Sequence, residues 1–196
     1  MSKGKEMKIA ISGTIGSGNS TVSNYLWSKG FEVFDCDEAN RELLIKGNKG
    51  YRALVSNFNN ILDKKLEIDK TKLSSLVFNN KEALEKLNQI MHPLILEAML
   101  ESAKGQDIFI AEVPLLFETE FKNYFDYKLL IVCDEDIAIK RLAKRGFDEK
   151  SAKARINHQM PVGEKLKLAD EAITNNDDEA SLYLKIDEWI ERMKLC

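Results

Sequence analysis

Short apolar runs alternate with amphipathic stretches along this chain. β-rich runs fall at 8–12, 31–35, 108–113 and 128–133, with a weaker one at 171–174. Between them apolar residues recur at helical spacing. Val22, Tyr25 and Leu26 follow i, i+3, i+4 with Gly30 as a stop, and Tyr183, Ile186, Ile190 and Met193 share one face of 178–193. Strand–helix alternation predicts an α/β fold, three α/β/α layers around a mainly parallel five-stranded sheet. Right-handed crossovers then set the strands' carboxyl ends along one edge, where ligands bind.

Residues 38–105 break this rhythm, being strand-poor. Leu84, Leu87 and Met91 form one helical stripe, and Leu94, Leu96, Met99 and Leu100 largely fill a second. His92-Pro93 between them reads as a helix boundary, because a residue before proline prefers extended geometry. The stretch is therefore expected to be a helical insertion between the second and third strands.

Composition removes whole classes. A net charge of −3 gives no global pull toward nucleic acid or an anionic membrane. No apolar run reaches transmembrane length, and the first strand starts too early for a signal peptide. Cys36, Cys133 and Cys196 are odd in number and widely spaced, which reads as reduced thiols in a cytoplasmic protein. Met7 fits a natural start, with 1–6 as a polar leader.

The chemistry concentrates after the first strand. Gly13-Thr14-Ile15-Gly16-Ser17-Gly18-Asn19-Ser20-Thr21 matches the phosphate-binding loop G-x-x-x-x-G-K-[ST] except at one position, where Asn19 replaces lysine. Strand, glycine loop and helix N-terminus together aim free amides and a helix dipole at an anion. Ser20 stands where the Mg²⁺-binding hydroxyl belongs. Asn19 cannot place charge beside the β/γ-phosphates, and Lys8, Lys140 and Lys144 are candidate replacement cations.

Three further groups surround this motif. Alternation puts Asp35 and Asp37 on one side of an extended strand end, suited to accepting a hydroxyl proton and holding water on Mg²⁺. Asp37 also reads as the N-cap of a helix beginning at Glu38. Glu112 ends an apolar strand where a Mg²⁺-coordinating carboxylate would sit, although a solvated strand end reads nearly as well, and Glu118 reads equally as a surface charge. Residues 140–155 hold seven basic side chains, with Arg141 and Arg145 on one helical face and Gly146 as a hinge, the pattern of a phosphate lid. His92 and His158 have no metal-ligand spacing.

Taken in order, I-S-G-T-I-G-S-G-N-S-T-V, V-F-D-C-D, L-N-Q-I-M-H-P-L-I, V-P-L-L-F-E, R-L-A-K-R, R-I-N-H-Q-M and L-A-D-E-A-I-T-N-N resemble the dephospho-CoA kinase family over essentially the whole chain. The resemblance implies a P-loop NTPase fold and transfer of the ATP γ-phosphoryl to the ribose 3′-hydroxyl of dephospho-CoA, with Mg²⁺. It implies a nucleotide core at 1–37, 106–140 and 166–196, a CoA-binding insertion at 38–105 and a lid at 141–165. Asp37 would be the base with Asp35 its companion, and the backbone of 14–21 the phosphate cradle. Arg141 would stack on adenine, Arg145 would neutralise the transferring phosphoryl, and Asn175 would lie near the adenine. His92 and Leu116 would contact the CoA side. Ala138 and Lys70 depart from the family's usual Gln and Arg. A cytoplasmic monomer acting on a small molecule, without nucleic acid or membrane, is expected. A nucleotide- or CoA-binding protein with little catalysis, or a kinase for another nucleotide, remains the alternative reading.

Overall fold

A computed structural model describes residues 6–78 and 80–195; residues 1–5 of the expected leader and Cys196 lie outside them. The chain divides into two compact units, one being Asp35–Lys104 and the other the segments on either side of it.

The flanking segments build the sheet. β1 (Met7–Gly13), β2 (Val33–Asp35), β3 (Ile108–Glu112), β4 (Tyr127–Val132) and β5 (Glu171–Thr174) lie in the order β2-β3-β1-β4-β5. β1 pairs in parallel with β3 and β4, and β4 with β5. The chain leaves β1 toward one edge and leaves β3 toward the other, so the carboxyl end of β1 lies at the reversal where such sheets bind ligands.

Alternation sorts the two faces. Ile9, Ile11, Ile110, Leu129, Ile131 and Ile173 join Val22 and Leu26 of α1 (Asn19–Ser28) and Leu182, Ile186, Trp189 and Ile190 of α9 (Glu179–Met193) in one core. Ala10, Phe109, Ala111 and Leu130 point the other way and are also buried, and α8 (Val162–Leu168) packs on β4. Both faces are covered, as a parallel sheet requires.

The second strand is shorter than the apolar run because Phe31 belongs to the cap of α1. The Phe31 amide donates to Leu26 O and the Gly30 amide to Trp27 O, with Gly30 at φ +93°. That double bond is a Schellman stop, and it delays β2 to Val33. On α9, packing selects Leu182 and Trp189 as well as the expected Ile186 and Ile190. Tyr183 instead stacks on Tyr25 with ring centroids 4.0 Å apart. The 3.6-residue stripe was broader than four residues show.

Unit Asp35–Lys104 is helical: α2 (Cys36–Leu43), α3 (Lys49–Asn57), α4 (Lys70–Phe78) and α5 (Lys81–Ala103), with an antiparallel bridge from Leu62 to Ile68. The boundary expected at His92-Pro93 is absent. α5 runs unbroken through Pro93, with Met91, Ile95, Met99 and Ala103 buried at four-residue spacing. Tertiary packing against α2, α3 and α4 outweighs the lost proline hydrogen bond. Leu84 is correspondingly left exposed.

Replacing fully buried Ile186 by alanine empties the centre of the sheet–α9 core. Urea unfolding of Ile186→Ala should show a loss of about 2–5 kcal/mol; a loss under 1 kcal/mol would place Ile186 outside the cooperative core.

Candidate nucleotide site

Gly13 ends β1, and the loop that follows turns back by two left-handed glycines, Gly16 at φ +80° and Gly18 at φ +105°. The loop satisfies only some of its own amides. Thr14 N donates to Ile131 O at 3.3 Å, Ser17 N to Thr14 O at 3.1 Å, and Ile15 N to the Gln159 side chain at 2.8 Å. Among the described residues, the amides of Gly16, Gly18, Asn19 and Ser20 have no such partner. Gly18 caps α1 without a side-chain acceptor. Four free donors at a helix N-terminus make an anion cradle.

Asn19 lies across the loop's own base. Its Oδ1 accepts the Ser17 hydroxyl at 3.1 Å. A Cβ on Gly13 would sit 2.1 Å from that oxygen and 2.4 Å from Ile131 O, so the carboxamide and the β4 backbone leave room there for glycine alone. Of the candidate replacement cations, Lys8 is near the opposite end of β1, about 16 Å along the strand from Gly13. It cannot serve the loop. Lys140 and Lys144 are exposed on α6 (Glu135–Lys144).

Arg141 and Asn175 brace the loop from behind. The Arg141 guanidinium donates to Gly16 O at 3.3 Å, to Asn175 O at 3.0 Å, to Asn175 Oδ1 at 3.3 Å and to Asp177 O at 3.3 Å. Buried Asn175 donates through Nδ2 to Ser17 O at 2.7 Å. Both terminal nitrogens of Arg141 are thus committed to the protein, and its flat face is the part suited to stacking. Arg145 caps α6 ahead of Gly146, at φ +91°, and is exposed.

Glu112 is buried at the end of β3, against the alternative of a solvated strand end, and its Oε1 accepts the Ser20 hydroxyl at 3.2 Å. A hydroxyl and a carboxylate converging beside the cradle suit a hard cation that takes most of its ligands from phosphate and water. Among the described residues no cluster of three acidic, His or Cys side chains could hold a metal unaided. The donor set therefore fits Mg²⁺ only as a companion of a bound phosphate chain.

In the unit Asp35–Lys104 the two aspartates are arranged differently from the extended pair expected. α2 begins at Cys36, so Asp35 is its N-cap, accepting from Asp37 N at 2.7 Å and Glu38 N at 2.9 Å. The capping role falls to Asp35 because it is the last residue in β geometry; Asp37 lies in the first helical turn. Partial desolvation of a carboxyl that still reaches solvent, then the charge of Asp35, push Asp37 above its ordinary value, and Arg41 opposes this. Arg41 is held by Glu38, with Nε to Oε2 at 2.7 Å. Beside them a recess of about 390 Å³ is bordered by Arg41, Ile45, Lys46, Ile68 and Lys70. His92 is half-buried, which lowers its pKa.

Leu116, expected on the substrate side, is fully sealed and offers no surface to a ligand in this conformation; neighbouring Leu115 is 49% exposed. Glu118 is not a surface charge. Its Oε1 accepts Met160 N at 3.0 Å and pairs with fully buried Lys165 at 2.8 Å. Sequence reasoning also missed Gln159, because a glutamine 144 residues from its partner leaves no local signal.

A phosphate loop at the reversal of a parallel sheet, braced by arginine and faced by a carboxylate, defines a P-loop phosphotransferase. The dephospho-CoA kinase family model matches residues 7–181. A dephospho-CoA kinase of Geobacillus kaustophilus is 41% identical over 87% of this chain and 88% of its own length. The solved dephospho-CoA kinase of Campylobacter jejuni superposes with a TM-score of 0.69 at 28% identity, covering 95% of this chain and 96% of that one. A solved Thermus thermophilus protein reaches 0.80 at 29% identity, over 94% and 98%. The chain belongs to the dephospho-CoA kinase family.

Gly18→Ala would force a side chain into left-handed backbone with its Cβ 2.6 Å from Asn175 Nδ2. Calorimetric titration should show ATP affinity weakened roughly tenfold or more in a folded protein. Undiminished affinity would remove Gly18 from the cradle.

Proposed function

We propose that this chain phosphorylates the ribose 3′-hydroxyl of dephospho-CoA from ATP, giving coenzyme A and ADP. The observation that carries the reading is the cradle of free amides at Gly16, Gly18, Asn19 and Ser20, in a chain of this family. In this reading 14–21 hold the nucleotide phosphates, and Arg141 presents its flat face to the adenine while Asn175 holds the loop. Arg145 comes from the 141–165 lid to meet charge on the transferring phosphoryl. The unit Asp35–Lys104 takes the acceptor, with His92 on its CoA-facing side.

Asp37 accepts the proton of the attacking hydroxyl, and Asp35 fixes it by capping the turn on which it stands. The raised pKa supports this role, since a stronger base removes a proton more readily, and the residue stays solvent-accessible for an incoming hydroxyl. Mg²⁺, when bound with ATP, would be held by Ser20 and, through water, by Glu112, and would neutralise the phosphate charge. In this reading the protein works in the cytoplasm, where a thiol such as that of Cys133 stays reduced. A single chain carries every assigned role, so the reading requires only a monomer.

Asn19 favours a second reading, a nucleotide binder with little turnover. The loop keeps its amides but lacks the charge that follows the β/γ oxygens. One missing preorganised donor typically costs ~10²–10³ in rate. A coupled ADP-release assay should show Asn19→Lys faster by about that factor, at similar ATP affinity. Equal, brisk rates would refute the handicap, and no turnover in either form would leave only binding.

The same assay tests Asp37. Its base form exists only above its raised pKa, so the acid limb of kcat/KM should lie above the ordinary value of 3.8 and Asp37→Asn should lose about 10²–10⁴ in rate. Stability runs the opposite way. A carboxyl that grips its proton harder when folded stabilises the fold below its unfolded pKa, and that contribution disappears as pH rises through the folded one. Asp37→Asn should therefore flatten this part of the stability–pH curve.

A further inference from the structure

The segment between α7 (Glu149–Asn157) and α8 reaches the phosphate loop through a hydrogen bond. Gln159 Oε1 takes the Ile15 amide at 2.8 Å, at the loop's apex and outside the four free donors. Gln159 is only half-buried, so its own packing does not fix it there. The adjacent residue is fixed. Met160 N donates to Glu118 Oε1 at 3.0 Å, and that same oxygen pairs with Lys165 Nζ at 2.8 Å. Lys165 is fully buried, and among the described residues neither its Nζ nor Glu118 Oε2 has a hydrogen-bond partner of good geometry, so it is charge that joins the pair. A buried ammonium with one carboxylate partner holds it firmly, since separating the two would strand a charge away from water. The chain from 159 to 162 also walls a cavity of about 320 Å³ against Thr14, Ile15 and Ala138.

We infer that the Glu118–Lys165 ion pair is a positioning device for the P-loop: it pins Met160, and so holds the Gln159 carboxamide on the Ile15 amide and fixes the loop's apex. Resting on the kinase reading for its purpose, the strap satisfies the Ile15 amide and leaves those of Gly16, Gly18, Asn19 and Ser20 available to a phosphate. Neither acid nor lysine touches nucleotide; both act through Gln159.

Hydrogen exchange of the Ile15 amide, followed by NMR in the full chain without nucleotide, reads the strap directly. Gln159→Ala should speed that exchange roughly fivefold to tenfold, the weight of one neutral hydrogen bond. Gln159→Glu, which keeps an acceptor oxygen, should restore protection. Glu118→Leu with Lys165→Met replaces the pair by apolar side chains of similar bulk and strands no charge. It should speed exchange at Ile15 to the same degree, and adding Gln159→Ala should speed it no further. Glu118→Gln, which keeps an acceptor for Met160, should give a smaller effect and serves if the pair variant unfolds. In kinetics, Gln159→Ala should raise the KM for ATP with kcat little changed. Wild-type exchange at Ile15 in the pair variant, or effects that simply add, would overturn the strap. The exchange measurement needs no turnover, so it decides the strap whether or not the kinase reading holds.

Discussion

Everything in the site depends on β1 being hydrogen-bonded along both edges. β3 and β4 hold it in parallel register, and Ile9 and Ile11 are driven into the core against α1 and α9. That fixes where Gly13 emerges. It also brings Ile131 O close enough to hold Thr14 N and to exclude a Cβ from Gly13. The loop is therefore shaped by its neighbours before any ligand arrives. A rigid cradle loses little conformational freedom on binding, which is how a short backbone segment grips a phosphate without a large contact area.

Around that cradle the supports come from distant parts of the chain. Arg141 reaches Gly16, Asn175 reaches Ser17, Glu112 reaches Ser20 and Gln159 reaches Ile15. Each contributes one or two hydrogen bonds of modest net worth, about 1 kcal/mol apiece. Their joint effect is geometric, since each tethers a different residue of the loop to a different element. The buried Lys165–Glu118 pair belongs to the same scheme one step farther out.

Local signals made much of this legible. The P-loop spells its own backbone, four of the five strands stand out as β-rich runs with the fifth weaker, and Gly30 marks the end of α1. What sequence spacing could not show was competition between local rules and packing. Pro93 argues for a break, yet the stripe of Met91, Ile95 and Met99 carries α5 through it. Asp35 and Asp37 look like neighbours on a strand until α2 begins one residue after the first of them. Glu118 and Lys165 each resemble a surface charge when read alone, because only the fold brings them together.

Asn19 shows what folding does and does not register. Its carboxamide accepts the Ser17 hydroxyl and lies against Gly13, so the loop closes on itself without a cation. The hydrogen bond that Asn19 makes here involves no charged group. On the proposed reading, the fold and the reaction therefore respond to this position separately: a change here would register in turnover while the loop's own closure stands.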